Sequence, residues 1–120
     1  MNTFGMNLRA VLLKARLPAP SEAVLQEAIA ATFTAASIPF EREVCLSKKD
    51  RIDFLCAEGI GIEVKVDGGI SDVTRQLHRY AQSERITRLV LVSTRMRLLT
   101  IPRVLNGKHV EFIHLAGGAF

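Results

Sequence analysis

Arg51-Ile52-Asp53-Phe54-Leu55-Cys56-Ala57, the connector Glu58-Gly59, and Gly61-Ile62-Glu63-Val64-Lys65-Val66 form the stretch that decides the fold. Two β-like runs, Arg51–Ala57 and Gly61–Val66, flank a tight connector, the pattern of an antiparallel hairpin. Side chains alternate along a strand. Ile62, Val64 and Val66 therefore point one way, and Glu63 and Lys65 the other. In the first run Asp53 lies opposite to Ile52 and Phe54. Pairing through Glu58-Gly59 sets Asp53 beside Glu63 on a shared face. Two carboxylates and an ammonium then meet among apolar residues, an arrangement that is costly without a compensating charge. A divalent cation offsets the repulsion, and hard oxygen ligands favour magnesium over zinc. A lysine beside it can orient or help deprotonate a water and stabilise charge developing on a phosphate.

An acid-x-Lys triplet alone recurs by chance about once in a chain of this length, so the flanking elements matter. Upstream, Ser21 is an N-cap that opens a helix to about Ser37, which Ile38-Pro39 ends. At about 100° per residue, Glu22 shares a stripe with Leu25, Ile29 and Phe33, while Glu27 turns toward solvent. A third β-like run, Glu41–Leu46, joins Arg51–Ala57 through Ser47 to Asp50. Downstream, Asp67-Gly68-Gly69 is a turn and Ser71 caps a second helix to about Ser83. Val73, Gln76, Leu77 and Tyr80 face inward on that helix, and Arg75 and Arg79 border them on the outer side. Arg88–Ser93 reads as a buried strand, Arg95–Leu99 as a short helical turn, and Asn106-Gly107 as a turn into a last strand, Lys108–His114. Leu8, Val11, Leu12 and Ala15 follow helical spacing up to Pro18-Ala19-Pro20, a short N-terminal helix or arm over residues 1–20. Ala116 to Phe120 reads as a frayed tail. The order implies an α/β fold, a mixed sheet with helices on its faces, in one domain over residues 21–120.

The net charge of +4 is unevenly spread. Residues from Arg75 onward carry eight Lys/Arg against two acids, while residues 1–74 carry eight against ten. A basic part that attracts a polyanion, with carboxylates gathered elsewhere, suits a metal-dependent nuclease. No apolar run is long enough to span a bilayer and the first ten residues lack a secretory pattern, so a cytoplasmic location is expected. Cys45 and Cys56 lie in β-like runs without zinc-ligand spacing and read as buried, reduced thiols. Gly59-Ile60-Gly61 reads as a strand turn and not as a nucleotide loop.

Asp53, then Glu63-x-Lys65, then Gln76-x-x-x-Tyr80, with Glu22 on the preceding helix, resembles the PD-(D/E)XK nuclease superfamily. The trailing glutamine and tyrosine resemble its RecB-like branch. Ile52 stands where the family's name has proline, and two cysteines cannot ligate the iron–sulfur cluster that many members of that branch carry. The resemblance implies a restriction-endonuclease-like core in α-β-β-β-α-β order and magnesium as the cofactor, with manganese as its substitute. It implies that Asp53, Glu63 and the Val64 carbonyl hold the metal. Glu22 would hold a metal-bound water or a second metal, and Lys65 would position the nucleophile. Gln76 and Tyr80 would orient the lysine and contact the phosphate, and Arg75 and Arg79 would meet DNA. The implied reaction is hydrolysis of DNA phosphodiester bonds, in recombination, repair or processing. A structure-selective endonuclease resembling Holliday-junction resolvases, acting as a homodimer or in a larger complex, would use the same residues. A non-catalytic DNA-binding module is the alternative of another class.

Overall fold

The computed structural model describes residues 3–15 and 21–115. Pro18-Ala19-Pro20 and the tail from Ala116 to Phe120 lie outside them. The elements are α1 (Thr3–Lys14), α2 (Glu22–Ala35), β1 (Phe40–Cys45), β2 (Arg51–Cys56), β3 (Ile60–Lys65), α3 (Ile70–Ala81), β4 (Arg88–Ser93), β5 (Val104–Leu105) and β6 (Lys108–His114). Together they make an α/β fold around a mixed six-stranded sheet of order β1-β2-β3-β4-β6-β5. β1, β2 and β3 form an antiparallel meander. The α3 crossover then makes β4 parallel to β3, and β6 runs parallel to β4.

The helices cover both faces because two kinds of stripe exist along the chain. In α2, Leu25, Ile29 and Phe33 recur every four residues and are fully buried. They pack with Leu8 and Leu12 of α1 against Phe54, Ile60, Ile62 and Val64 of the sheet. Phe33, Phe40 and Phe54 meet with ring centroids 5.7–5.8 Å apart, and truncating such a ring costs about 3–5 kcal/mol. On the other face Val73, Leu77 and Tyr80 of α3 pack on Ile52, Leu89 and Leu91. Ser21 caps α2 as expected, its hydroxyl accepting from the Val24 amide at 3.2 Å.

The N-terminal segment takes the helical form of the expected helix or arm, and that helix joins the main core through buried Leu8 and Leu12 and pairs Arg9 with Glu111 at 2.6 Å. Several local expectations are corrected. α3 is capped by Gly69 and not by Ser71, which is exposed in the first turn, and it ends at Ala81. Cys45 is exposed because β1 is the edge strand, whereas Cys56 is buried and its thiol is pushed up to about 12 by that burial. β5 was too short for any periodicity to mark. It pairs with β6 through Asn106-Gly107, whose φ values of 51° and 76° suit a two-residue hairpin turn.

Candidate active site

The site forms where β2 and β3 diverge. Their ladder pairs Cys56 with Ile60, Leu55 with Gly61 and Phe54 with Ile62, and stops there. The next pair in register is Asp53 with Glu63. Their side chains replace the missing backbone bonds: the Asp53 amide donates to Glu63 Oε1 at 3.2 Å, and the Val64 amide donates to Asp53 Oδ2 at 2.8 Å. β1 marks the same point, with Glu43 in the left-handed region at φ 51° between the pairs Arg42–Phe54 and Val44–Ile52. β2 therefore changes face here. Phe54 packs under α2 but Ile52 packs under α3, so the expected common face of Ile52 and Phe54 is not formed. Asp53, between them, turns into the gap.

Glu63 is 3% exposed. Its Oε2 lies 3.3 Å from the Tyr80 hydroxyl and 3.5 Å from Lys65 Nζ. Burial raises the Glu63 pKa to about 8, the Asp53 charge adds to the rise, and Lys65 opposes it. Asp53 is also raised, first by burial, against the Val64 hydrogen bond. The Tyr80 hydroxyl is raised by burial and donates as well to the Arg51 carbonyl at 3.0 Å. At 1% exposure Tyr80 is almost sealed from solvent, and its hydroxyl is set against Glu63. Gln76, half-buried, lines a recess with Lys65 and Arg79.

Glu22 is brought to the margin. Its Oε2 accepts from the Val66 amide at 3.1 Å, just beyond Lys65, and its charge contributes to the raised Asp53 pKa. Among the described residues no group of three His, Cys, Asp or Glu side chains is placed to hold a metal ion, and Glu22 sits at the end of β3 through its bond to the Val66 amide. Glu27 pairs with Arg42 at 2.7 Å. Arg75 and Arg79 border the recess, each in an ion pair: Arg75 with Asp72, Arg79 with Asp50 at 2.9 Å.

A magnesium ion fits this donor set. Asp53 and Glu63 adjoin with raised pKa values, which a cation would reverse. In a strand the amide and carbonyl of one residue face the same neighbour, so Val64, whose amide reaches Asp53, turns its carbonyl into the same gap. Two carboxylates with remaining positions left to water and phosphate are the usual complement for magnesium. Reasoning from sequence missed two groups of residues. Arg95 Nε donates to the Val66 carbonyl at 2.7 Å and so braces the end of β3 from 29 residues away, which no local pattern signals. Lys48 and Lys49, in the β1–β2 turn, line a second recess with Gln76, Arg79 and Tyr80. Their signal was a lysine pair next to the strand that carries Asp53.

The chain matches no protein-family model, no characterised protein and no solved structure. The chemistry of the site rests on its geometry. Among the described residues, no helix is long and apolar enough to cross a membrane.

Proposed function

We propose that this chain is a magnesium-dependent deoxyribonuclease of the PD-(D/E)XK kind, with a restriction-endonuclease-like core, acting in the cytoplasm on DNA. The observation that carries the reading is the pairing of half-buried Asp53 with buried Glu63 at the divergence of β2 and β3, with Lys65 Nζ 3.5 Å from Glu63. A purely structural role would leave a buried acid beside a half-buried one, both with raised pKa values, a cost that well-packed apolar residues avoid. Bound between them, magnesium would polarise a phosphoryl oxygen and supply a nucleophile at neutral pH. Asp53, Glu63 and the Val64 carbonyl would hold it. Lys65, one-fifth exposed, is open enough to meet a phosphate and stabilise the charge that develops there. Tyr80 fixes the Glu63 carboxylate, and Glu22 with Arg95 fixes the Val66 end of β3, so the acceptor groups need little reorganisation.

The test is cleavage of labelled linear, closed-circular and four-way-junction DNA with magnesium, with manganese and with EDTA. Magnesium-dependent cutting, abolished by folded Asp53→Ala and Lys65→Ala variants, is the expected result. Cutting that persists in EDTA or in Lys65→Ala refutes the assignment. Faster loss of linear DNA accords with the RecB-like resemblance. Cutting of junctions or circles with linear duplex left intact would instead make the enzyme a structure-selective endonuclease.

A further inference from the structure

Beside the acidic pair stands a cationic wall that the catalytic residues do not use. The β1–β2 hairpin turns at Ser47–Asp50, and a recess runs from that tip to α3, lined by Lys48, Lys49, Arg51, Gln76, Arg79 and Tyr80. A second recess shares Gln76 and Arg79 and continues to Lys65 and Arg75. The two recesses adjoin at Gln76 and Arg79, and the second reaches Lys65 of the candidate active site. Lys48 and Lys49 are exposed, and among the described residues neither joins an ion pair.

The tip is held firmly for an exposed turn. The Ser47 hydroxyl oxygen accepts from the Lys49 and Asp50 amides at 3.2 and 3.1 Å, and the Leu46 amide donates to the Asp50 carbonyl at 2.8 Å. Arg79 Nε latches the tip to α3 by donating to Asp50 Oδ1 at 2.9 Å, and the Tyr80 hydroxyl secures the Arg51 carbonyl at its base. A pre-ordered pair of free ammonium groups binds a polyanion with little ordering cost. The latch, however, occupies a guanidinium whose fork suits phosphate.

We propose that the Ser47–Asp50 tip is a wall of the nucleic-acid groove, where Lys48 and Lys49 each hold a backbone phosphate and Asp50 restrains Arg79 until a phosphate displaces it. The direction of the strand toward Asp53 and Glu63 rests on the nuclease reading, but the binding itself needs neither metal nor cleavage. The experiment is therefore fluorescence anisotropy of a short labelled DNA duplex and the matching single strand, titrated in EDTA across salt concentrations. Lys48→Ala/Lys49→Ala should flatten the plot of log K against log salt by about 2, since each phosphate contact contributes about 0.9. Arg103→Ala, an exposed charge removed outside this groove, should leave the slope as it is. Asp50→Asn, which keeps a turn-forming side chain and removes the charge that holds Arg79, should bind up to about five-fold tighter, the scale of one exposed ion pair. A wild-type slope in the double lysine variant, equal flattening by Arg103→Ala, or no binding by the wild type overturns the groove. Unchanged or weaker binding by folded Asp50→Asn overturns the exchange at Arg79. DNA binding as described without magnesium-dependent cutting refutes the nuclease reading and leaves the groove standing.

Discussion

Glu63→Gln removes one buried acid while keeping its shape and its hydrogen-bonding capacity. The amide oxygen can still accept from the Asp53 amide, and its nitrogen can face Tyr80. In the wild type, Glu63 has a folded-state pKa near 8 against an ordinary 4.5, so the metal-free fold prefers the protonated acid. The stability this provides is fully present below about pH 4.5 and is lost as pH rises toward 8. A gap of three to four units at about 1.4 kcal/mol each corresponds to a loss on the order of 4 kcal/mol by pH 8. That is a large part of the 5–15 kcal/mol typical of a domain. Glu63→Gln has no such proton to lose. Asp53, raised first by burial, keeps a pH dependence of its own. Urea unfolding in EDTA from about pH 5 to pH 8 should show the variant gaining on the wild type by several kcal/mol across that range. Every other titrating group is common to both proteins, so the difference between them reports Glu63 together with its coupling to Asp53. Millimolar magnesium should then restore the wild type at pH 8 and leave the variant nearly unchanged, because ligand binding to the folded state adds stability by mass action. A wild-type-minus-variant difference that stays flat with pH would refute the buried-acid reasoning.

Other outcomes follow from single contacts. Glu22→Gln keeps an acceptor for the Val66 amide but removes a charge that bears on Asp53, and should lower cleavage modestly, while Glu27→Gln, which only weakens the pairing with Arg42, should cut like the wild type. Kinetics that rank the two the other way would refute the placement of Glu22. Tyr80→Phe strips the hydroxyl from Glu63 and the Arg51 carbonyl. It should cost about 1–3 kcal/mol in denaturant melts and reduce kcat more than DNA affinity. Gly59→Ala places a Cβ 2.8 Å from the Arg85 carbonyl oxygen at φ 76°. It should destabilise by about 2 kcal/mol or more, read as a lowered Tm.

Much of this architecture was legible along the chain, because backbone geometry sets local periodicity. The stripe Leu25, Ile29, Phe33 implied a helix with one buried face and carried Glu22 to the sheet. The brevity of the Glu58-Gly59 connector set the hairpin register, and register alone brings Asp53 opposite Glu63. What the residues did not disclose depends on partners distant in sequence. Strict alternation assumes a straight strand, so it could not foresee that the left-handed Glu43 and the break in the β2–β3 ladder send Ile52 and Phe54 into opposite cores. Helical spacing turned Tyr80 inward, but only the packing of α3 on β2 set its hydroxyl against Glu63 and Arg51. The contacts of Arg95 with Val66 and of Arg79 with Asp50 each join residues 29 positions apart. Such pairs exist only once the sheet and its crossover helix have closed, since no local repeat brings residues so far apart in the chain into contact.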